Sequence, residues 1–283
     1  MKEKIKLTGI PKTLLIPLRA RYLETKKQNG IINDPKTLEI LDKIEHDFAK
    51  KGNDVSVSSQ LGVSIRTEIF DEEVSKFLEK HPHGVVVNLG CGLDTRFHRI
   101  DNGSLLWFDL DVPETIDLRR KFFKETDRFT FIAKSLTDFS WLEVLPTNKP
   151  VLFVAEGLFM YFSEHTLKRI FNKIKETYPE SEMLFEAMSP HIARNTKKHP
   201  DMKRQSAKFK WGIKTGAELE NWDLGINFIE EWYYFDRHKE KYPFVFKVLS
   251  LLPSFRKGMK IVHINFNKST SNQQFPVKAG RRQ

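Results

Sequence analysis

The chain has 283 residues, of which 40% are hydrophobic, and carries a formal net charge of +10. It contains no run of about twenty apolar residues, so we expect no membrane partner. The single cysteine, Cys91, excludes an internal disulfide and a multi-cysteine metal site, and we expect no bound metal. Pro11 and Pro17 follow a basic start before any signal-peptide core develops, which predicts a cytoplasmic protein.

The first 80 residues differ in pattern from the rest of the chain. Their periodicity predicts helices over 35–51 and 71–80, separated by turns rich in Gly, Ser and Asn. At this chain length one large domain is favoured over two small ones. We therefore interpret residues 1–80 as a helical cap on a single domain whose core occupies residues 81–283.

The most informative stretch begins at Val85 and reads VVVNLGCG. A continuous β-branched run is typical of a parallel strand buried on both faces. Gly90 and Gly92 follow it directly, and glycines there let backbone N–H groups approach a ligand closely. Cys91 lies between them, where its small size is a sufficient reason for its presence. No histidine stands nearby in a recognisable Cys/His pairing, so a nucleophilic role for Cys91 is disfavoured.

The spacing after these glycines indicates which cofactor the loop suits. A dinucleotide-binding turn has a third glycine three residues after the second, and here Thr95 occupies that position. A nicotinamide-dependent oxidoreductase is therefore disfavoured. The polar residues that end the loop, Asp94 and Arg96 among them, suit a ligand with an amine and a carboxylate but no phosphate. We expect S-adenosylmethionine as the cofactor.

Further strands alternate with helices along the chain. Strands are predicted over 105–111, 129–133, 151–156 and 183–188, with one helix opening at Pro113 and another over 163–178 capped by Ser163. This alternation predicts an α/β fold with a doubly wound, mostly parallel sheet that binds ligands at the carboxyl ends of its strands. Two later strands, over 228–235 and 259–266, are predicted to close the sheet as an antiparallel pair.

Residues 189–225 are basic, polar and rich in tryptophan, which predicts an inserted substrate lid. The positive charge is densest over 197–210, where it either forms an ordinary solvated surface, the favoured interpretation, or attracts an anionic substrate. The aromatic side chains either line a pocket for a planar aromatic substrate or form the core of the lid; they are Phe209, Trp211, Trp222 and Trp232. The basic surface also allows an alternative function, that of a nucleic-acid-binding protein or nucleic-acid methyltransferase. Nucleic acid is nevertheless a disfavoured partner, because Glu156-Gly157-Leu158 replaces the aromatic-proline motif expected for base methylation.

Several motifs together are more specific than any one of them. They are Ala20-Arg21-Tyr22-Leu23-Glu24, Asn33-Asp34-Pro35, Arg66-Thr67, the loop that ends in Leu93-Asp94-Thr95-Arg96, Asp109-Leu110-Asp111-Val112-Pro113-Glu114, and Ala155-Glu156-Gly157-Leu158-Phe159-Met160-Tyr161-Phe162. In these motifs the chain resembles the leucine carboxyl methyltransferase-like family of S-adenosylmethionine-dependent O-methyltransferases, which includes polyketide-type members. The resemblance implies a Rossmann-like class I methyltransferase fold with seven strands and an antiparallel last strand.

The resemblance also implies a methyl acceptor and a set of cofactor contacts. The implied acceptor is a carboxylate or hydroxyl group of a small molecule or peptide, and this substrate is expected to be anionic or aromatic. The oligomeric state of the chain stays open. Arg66 would pair with the cofactor carboxylate, or else cap a loop at the surface. Gly90, Cys91 and Gly92 would meet the methionine part. Asp94 would support this loop or the cofactor amine, or cap a helix.

The carboxylates that follow the next strands have implied roles as well. Asp109 and Asp111 alternate by two and are predicted to point to the same side of their strand. Asp111 matches the position that accepts hydrogen bonds from the ribose hydroxyls, with helix capping as its alternative. Glu156 would lie near the amine and the transferring methyl, or form a buried ion pair with a lysine.

Two positions depart from the family pattern or carry little signal. Ser135-Leu136 stands where the family has Asp-Leu, so Ser135 would offer the adenine amino group an uncharged acceptor, and Asp138 could substitute. Tyr161 is a catalytic candidate, with packing at the strand–helix junction as its alternative. His191, His199 and His238 lie in or near the predicted lid, and an ordinary surface or core position is favoured for each of them over a role as general base. Because no convincing general base is evident and a carboxylate needs none, carboxyl methylation is mildly favoured.

Overall fold

The computed structural model describes residues 5–6, 14–45, 55–195 and 208–266. Two short strands, β1 (Ile5–Lys6) and β2 (Ile44–Glu45), form a separate parallel pair. The other strands of these ranges form one seven-stranded sheet. They are β3 (Val85–Leu89), β4 (Leu106–Asp111), β5 (Phe129–Ala133), β6 (Val151–Ala155), β7 (Glu182–Met188), β8 (Ile226–Tyr233) and β9 (Met259–Phe266).

The strand order of the sheet is β5-β4-β3-β6-β7-β9-β8. Strands β3 to β7 are all parallel, and β9 runs antiparallel between β7 and β8. The chain leaves β3 toward β4 and β5 on one side and later returns to β6 on the other. The crevice between β3 and β6 is therefore the topological switch point, where open α/β sheets bind ligands. The predicted Rossmann-like fold with an antiparallel last strand is confirmed.

The two central strands are buried along their whole length. Alternate residues of β3 point to opposite faces of the sheet: Val86 packs in the apolar cluster that contains Ile65, whereas Val85 and Val87 pack in the one that contains Ile170. Both faces of the sheet are therefore covered, which is why β3 is apolar at every position but Asn88.

Nine α-helices flank the sheets in the described ranges. They are α1 (Leu15–Thr25), α2 (Pro35–Leu41), α3 (Val57–Lys80), α4 (Phe97–Ile100), α5 (Pro113–Arg119), α6 (Glu164–Thr177), α7 (Pro190–Arg194), α8 (Phe244–Leu249) and α9 (Pro253–Arg256). The predicted cap of α6 is confirmed, because Ser163 Oγ accepts from the Thr166 amide at 3.2 Å. None of the helices in these ranges has the length and apolar composition needed to cross a bilayer.

Two predicted helices have the wrong bounds. The helix predicted over 35–51 ends at Leu41, and the chain enters β2 at Ile44. The helix predicted over 71–80 begins much earlier, at Val57, because burial stabilises an N-terminal half that is rich in serine and contains Gly62. Residues 46–51 of the first helix and most of the basic stretch over 197–210 lie outside the described residues.

Candidate active site

A cavity of about 800 Å³ opens at the carboxyl ends of β3, β6 and β7. The loop after β3 forms its floor, and α3 and the start of α1 form one wall. Residues of α7 and of the segment between β8 and β9 also line the cavity. The cavity therefore lies at the switch point of the sheet, where the sequence places its glycine turn.

The glycine turn has the backbone conformation that glycine favours. Gly90 and Gly92 have φ angles of 63° and 49°, in the left-handed region that other residues rarely adopt. A Cβ on Gly90 would lie 2.7 Å from the nearest side-chain carbon of Leu158, so the loop after β6 closes directly over this glycine. Both glycines line the cavity together with Cys91.

Asp94 fixes the end of the glycine loop. Its carboxylate accepts hydrogen bonds from the backbone amides of Thr95 and Arg96 at 2.8 and 3.2 Å, and from Arg96 Nη1 at 2.7 Å. Burial would raise the pKa of Asp94, but Arg96 and Arg99 outweigh it and hold this pKa far below the ordinary value. Through these contacts Asp94 supports the end of the glycine loop.

Cys91 is buried in the cavity floor. Burial raises the pKa of its thiol well above the ordinary value, and the nearby Asp109 carboxylate raises it further. The thiol is therefore protonated at neutral pH, and a thiol is a poor nucleophile. Packing remains the interpretation that its environment supports.

Asp109 and Asp111 have different surroundings, although both belong to β4. Asp109 is fully buried, and its carboxylate pairs with Arg119 at 2.5 Å and accepts from Asn88 and Trp107 at 3.0 and 2.9 Å. Neither Asp109 nor Asp111 is among the residues that line the cavity, and β4 continues for two residues beyond Asp109. Asp109 thus positions β3 against β4, which corrects the expectation that both acids face a ligand.

Asp111 ends β4 and is half-buried. Its Oδ2 accepts from the Gly92 amide at 2.8 Å and its Oδ1 from the Val112 amide at 2.8 Å. Burial raises the pKa of Asp111, and these two amides oppose that shift. The carboxylate therefore binds the glycine turn itself, and its remaining lone pairs are available at the edge of the sheet.

Ser135 and Leu136 follow β5, the strand next to β4, at the same edge of the sheet. Ser135 is exposed and its hydroxyl lies 3.0 Å from that of Thr137, whereas Leu136 is buried. Asp138, the alternative acceptor, bonds the amide and hydroxyl of Ser140. These residues lie beside Asp111 along the edge and outside the walls of the cavity.

Arg66 and Glu156 both line the cavity and form an ion pair with each other. Arg66 Nε donates to Glu156 Oε1 at 2.8 Å, and Arg96 Nη2 donates to Glu156 Oε2 at 2.6 Å. The buried ion pair expected as the alternative for Glu156 is thus present, but its partners are two arginines and not a lysine. Burial would raise the pKa of Glu156, yet the two guanidinium groups hold it below the ordinary value.

Glu186, at the end of β7, is a site residue that the sequence analysis missed. Its carboxylate accepts from Arg66 Nη1 at 3.0 Å, from the Gly157 amide at 2.8 Å and from the Tyr234 hydroxyl at 2.7 Å. The signal in the sequence was a glutamate in an otherwise apolar strand, a position where burial requires partners. Tyr234 carried no comparable signal, because its partner Glu186 lies 48 residues away in the sequence.

Tyr161 lines the cavity, and its ring lies 5.6 Å from that of Phe209. Burial raises the pKa of Tyr161, and Glu186 raises it further, so the phenol stays protonated at neutral pH. Tyr161 is therefore poorly suited to act as a general base. His191, in α7, also lines the cavity and is the one histidine among its described lining residues.

The apolar wall of the cavity comes from the segment between β8 and β9. Phe235, Tyr242, Phe246 and Phe255 form an aromatic cluster there, with ring centroids 4.8 to 6.4 Å apart. We call residues 234–258 the aromatic wall. The aromatic wall was not predicted from the sequence.

The predicted lid over 189–225 contributes less to the cavity than the aromatic wall. Its first residues and Phe209 line the cavity, but Trp211 and Trp222 pack in the apolar cluster on one face of the sheet. Their rings lie 6.1 Å apart, and Trp232 stacks on His263 in the outer strands. Of the four aromatic residues assigned to a pocket or a lid core, only Phe209 faces the cavity.

Comparison with known proteins places this site in a family. A sequence model of the leucine carboxyl methyltransferase family matches residues 15–175. The chain belongs to this family. The predicted methyltransferase function and S-adenosylmethionine cofactor are confirmed: the chain is an S-adenosylmethionine-dependent O-methyltransferase, which rules out the oxidoreductase alternative.

Two relatives and one solved structure illustrate the match. The tetracenomycin polyketide synthesis O-methyltransferase TcmP of Streptomyces glaucescens is 34% identical over 82% of this chain and 86% of its own. The S-adenosyl-L-methionine-dependent methyltransferase dpfgK of Gibberella zeae is 28% identical over 82% and 85%. A crystal structure of a Thermobifida fusca protein, 13% identical, shares the fold with a TM-score of 0.60 over 93% of this chain and 97% of that one.

Proposed function

We propose that the crevice between β3 and β6 holds the cofactor, with its carboxylate at Arg66, its methionine part against Gly90 and Gly92, and its ribose at Asp111. Ser135 and Leu136 would flank the adenine. The donor set supports this fit. Arg66 Nη2 has no hydrogen bond among the described residues and lies near Gly157, so one face of the guanidinium can bind a carboxylate while Nε and Nη1 stay paired.

We further propose that the acceptor is a planar aromatic small molecule and that its nucleophile is a hydroxyl. The aromatic wall is the observation that carries this proposal, since stacked and tilted rings select flat apolar ligands. The relative from S. glaucescens acts in polyketide synthesis, which agrees with such an acceptor. Both cations among the described lining residues, Arg21 and Arg66, are paired with carboxylates. The cavity therefore has little surplus positive charge for an anionic acceptor.

The bound cofactor supplies an electrophilic methyl group on a sulfonium. The chain supplies alignment and the exclusion of water: the aromatic wall holds the acceptor ring, and Glu156 and Glu186 hold Arg66 in place. A hydroxyl must lose its proton on attack, and we assign this proton transfer to His191, because the phenol of Tyr161 stays protonated.

Methyl transfer to matched acceptors tests this assignment. We expect methylation of polycyclic phenols such as 2-naphthol and no methylation of 2-naphthoic acid, which has the same rings. We expect His191→Asn to lower kcat by about 10²- to 10⁴-fold, because asparagine cannot accept the proton of the acceptor hydroxyl. Methylation of 2-naphthoic acid but not of 2-naphthol, at a rate that His191→Asn leaves unchanged, would contradict the proposal.

A further inference from the structure

Exposed apolar side chains are concentrated on one short segment of the aromatic wall. In the described part of the chain, nine large hydrophobic residues are exposed, and five of them fall within nine positions: Phe244, Val245, Val248, Leu251 and Leu252. Phe244 and Leu251 expose 79% and 80% of their surface. We call these five residues the apolar patch. A contiguous patch of this kind marks a surface that another phase or molecule covers.

Cations surround the apolar patch. Lys247 lies within it, and Lys239, Lys241, Arg256 and Lys257 flank it, all of them exposed. The acids of the same stretch are Asp236, which pairs with Arg256 at 2.5 Å, and Glu240. Exposed apolar side chains among exposed lysines are typical of a protein segment that binds an anionic lipid surface. The apolar side chains insert among the lipids, and the cations contact the lipid head groups.

We propose that the apolar patch docks on an anionic lipid surface. Such docking needs no membrane-spanning helix, so the sequence-based expectation of no membrane partner, which rested on the lack of a span, does not test it. A second copy of this chain is a poorer occupant: a symmetric pairing would place the lysines of one patch against those of the other.

Docking would place the mouth of the cavity at the lipid surface. Leu252 belongs to the apolar patch and lines the cavity, as do Phe246 and Phe255 of the same segment. A lipophilic acceptor dissolved in the bilayer would then reach the aromatic wall without crossing water. The docking itself is independent of the proposed function, because it rests on the exposed residues and their charges alone.

Co-sedimentation of the full chain with vesicles tests the docking. We expect binding to phosphatidylglycerol vesicles and none to phosphatidylcholine vesicles, with the bound fraction falling in high salt. The double variant Phe244→Glu/Leu251→Glu should weaken binding at least roughly tenfold, and Lys247→Ala roughly fivefold. The matched control Val57→Glu/Val144→Glu changes two exposed residues elsewhere and should leave binding unchanged.

Two results would overturn the docking. One is a wild-type chain that stays in the supernatant with both kinds of vesicle. The other is a concentration-dependent dimer in analytical ultracentrifugation that the double variant abolishes, since the patch would then be covered by a second copy. Since all five substituted side chains are exposed, the variants should unfold at the wild-type temperature, and circular dichroism checks that they do.

Discussion

Arg66 illustrates at the residue scale how this site is assembled. Its guanidinium is held by Glu156 from the end of β6 and by Glu186 from the end of β7. Burial would lower the pKa of Arg66, but the two carboxylates raise it, so the group is charged at every accessible pH. A permanent, oriented cation with one face unpaired is what recognition of a carboxylate requires.

The glycine turn permits a paired test of the cofactor crevice. Gly90 and Gly103 both have positive φ angles, 63° and 80°, but only Gly90 has a neighbour, Leu158, that an added methyl group would displace. Both alanine variants should lose about 1 kcal/mol of unfolding free energy. Only Gly90→Ala should also weaken S-adenosylhomocysteine binding, by about tenfold, or about 1.4 kcal/mol.

Urea unfolding and calorimetric titration measure the two effects separately. Gly103 is the control, because nothing lies within 4 Å of its added methyl group. Equal cofactor affinities for the two variants would show that the turn does not contact the ligand.

The aromatic wall, at the element scale, combines a buried inner face with an exposed outer face. Phe255 lines the cavity, whereas Val245 exposes 64% of its surface to solvent. Phe255→Ala should raise the KM for an aromatic acceptor about tenfold, since the lost contact is worth about 1–1.5 kcal/mol. The affinity for S-adenosylhomocysteine should stay unchanged.

Steady-state kinetics with 2-naphthol measures this effect, and Val245→Ala serves as the control with an unchanged KM. A weaker cofactor affinity in Phe255→Ala, with the acceptor KM unchanged, would mean that the aromatic wall serves the cofactor instead of the acceptor.

The N-terminal helices α1, α2 and α3 are tied to the rest of the chain, at the scale of the whole molecule, by a series of buried ion pairs. Asp34, the N-cap of α2, pairs with Arg21 from α1 and Arg99 from α4, at 3.1 and 3.0 Å. Arg99 also pairs with Asp71 of α3 at 2.6 Å. The network continues through Arg96 to the centre of the active site. We therefore expect the folding of these helices and the formation of the site to be coupled.

This network predicts how stability depends on pH. Burial would raise the pKa of Asp34, but Arg99 and Arg21 outweigh it and hold the pKa below the ordinary value. A carboxyl with a lowered folded-state pKa binds its proton more readily in the unfolded chain. Its contribution is therefore complete above the unfolded pKa of about 4 and is lost as the pH falls below it.

We expect Asp34→Asn to lower the unfolding free energy at pH 7 by about 3 kcal/mol, because it leaves two buried guanidinium groups with one partner fewer. Its stability should also fall less steeply below about pH 4 than that of the wild type. Urea unfolding across the pH range measures both effects. Asp117→Asn, at an exposed position, is the control; an equal acid slope in Asp34→Asn and the wild type would contradict the account.

The sequence predicted what depends on local patterning and missed what depends on distant contacts. Apolar strands and the glycine turn follow from neighbouring residues, so the sheet and the position of the glycine turn were predictable. Glu186 and Tyr234 come together across 48 residues, and α3 depends on burial that its own composition does not reveal. The same limit explains why Asp109 was expected to face a ligand: its buried partner, Arg119, lies in the following helix.

The central claim is that the crevice between β3 and β6 binds the cofactor with Asp111 at the ribose. Calorimetric titration of S-adenosylhomocysteine into the wild type and Asp111→Asn tests it most directly, with Asp117→Asn as the control. We predict saturable binding at one site per chain, weakened about tenfold or more by Asp111→Asn and unchanged by the control, because hydrogen bonds to a charged group contribute about 1.5–3 kcal/mol. Equal affinities for the wild type and Asp111→Asn would contradict the claim.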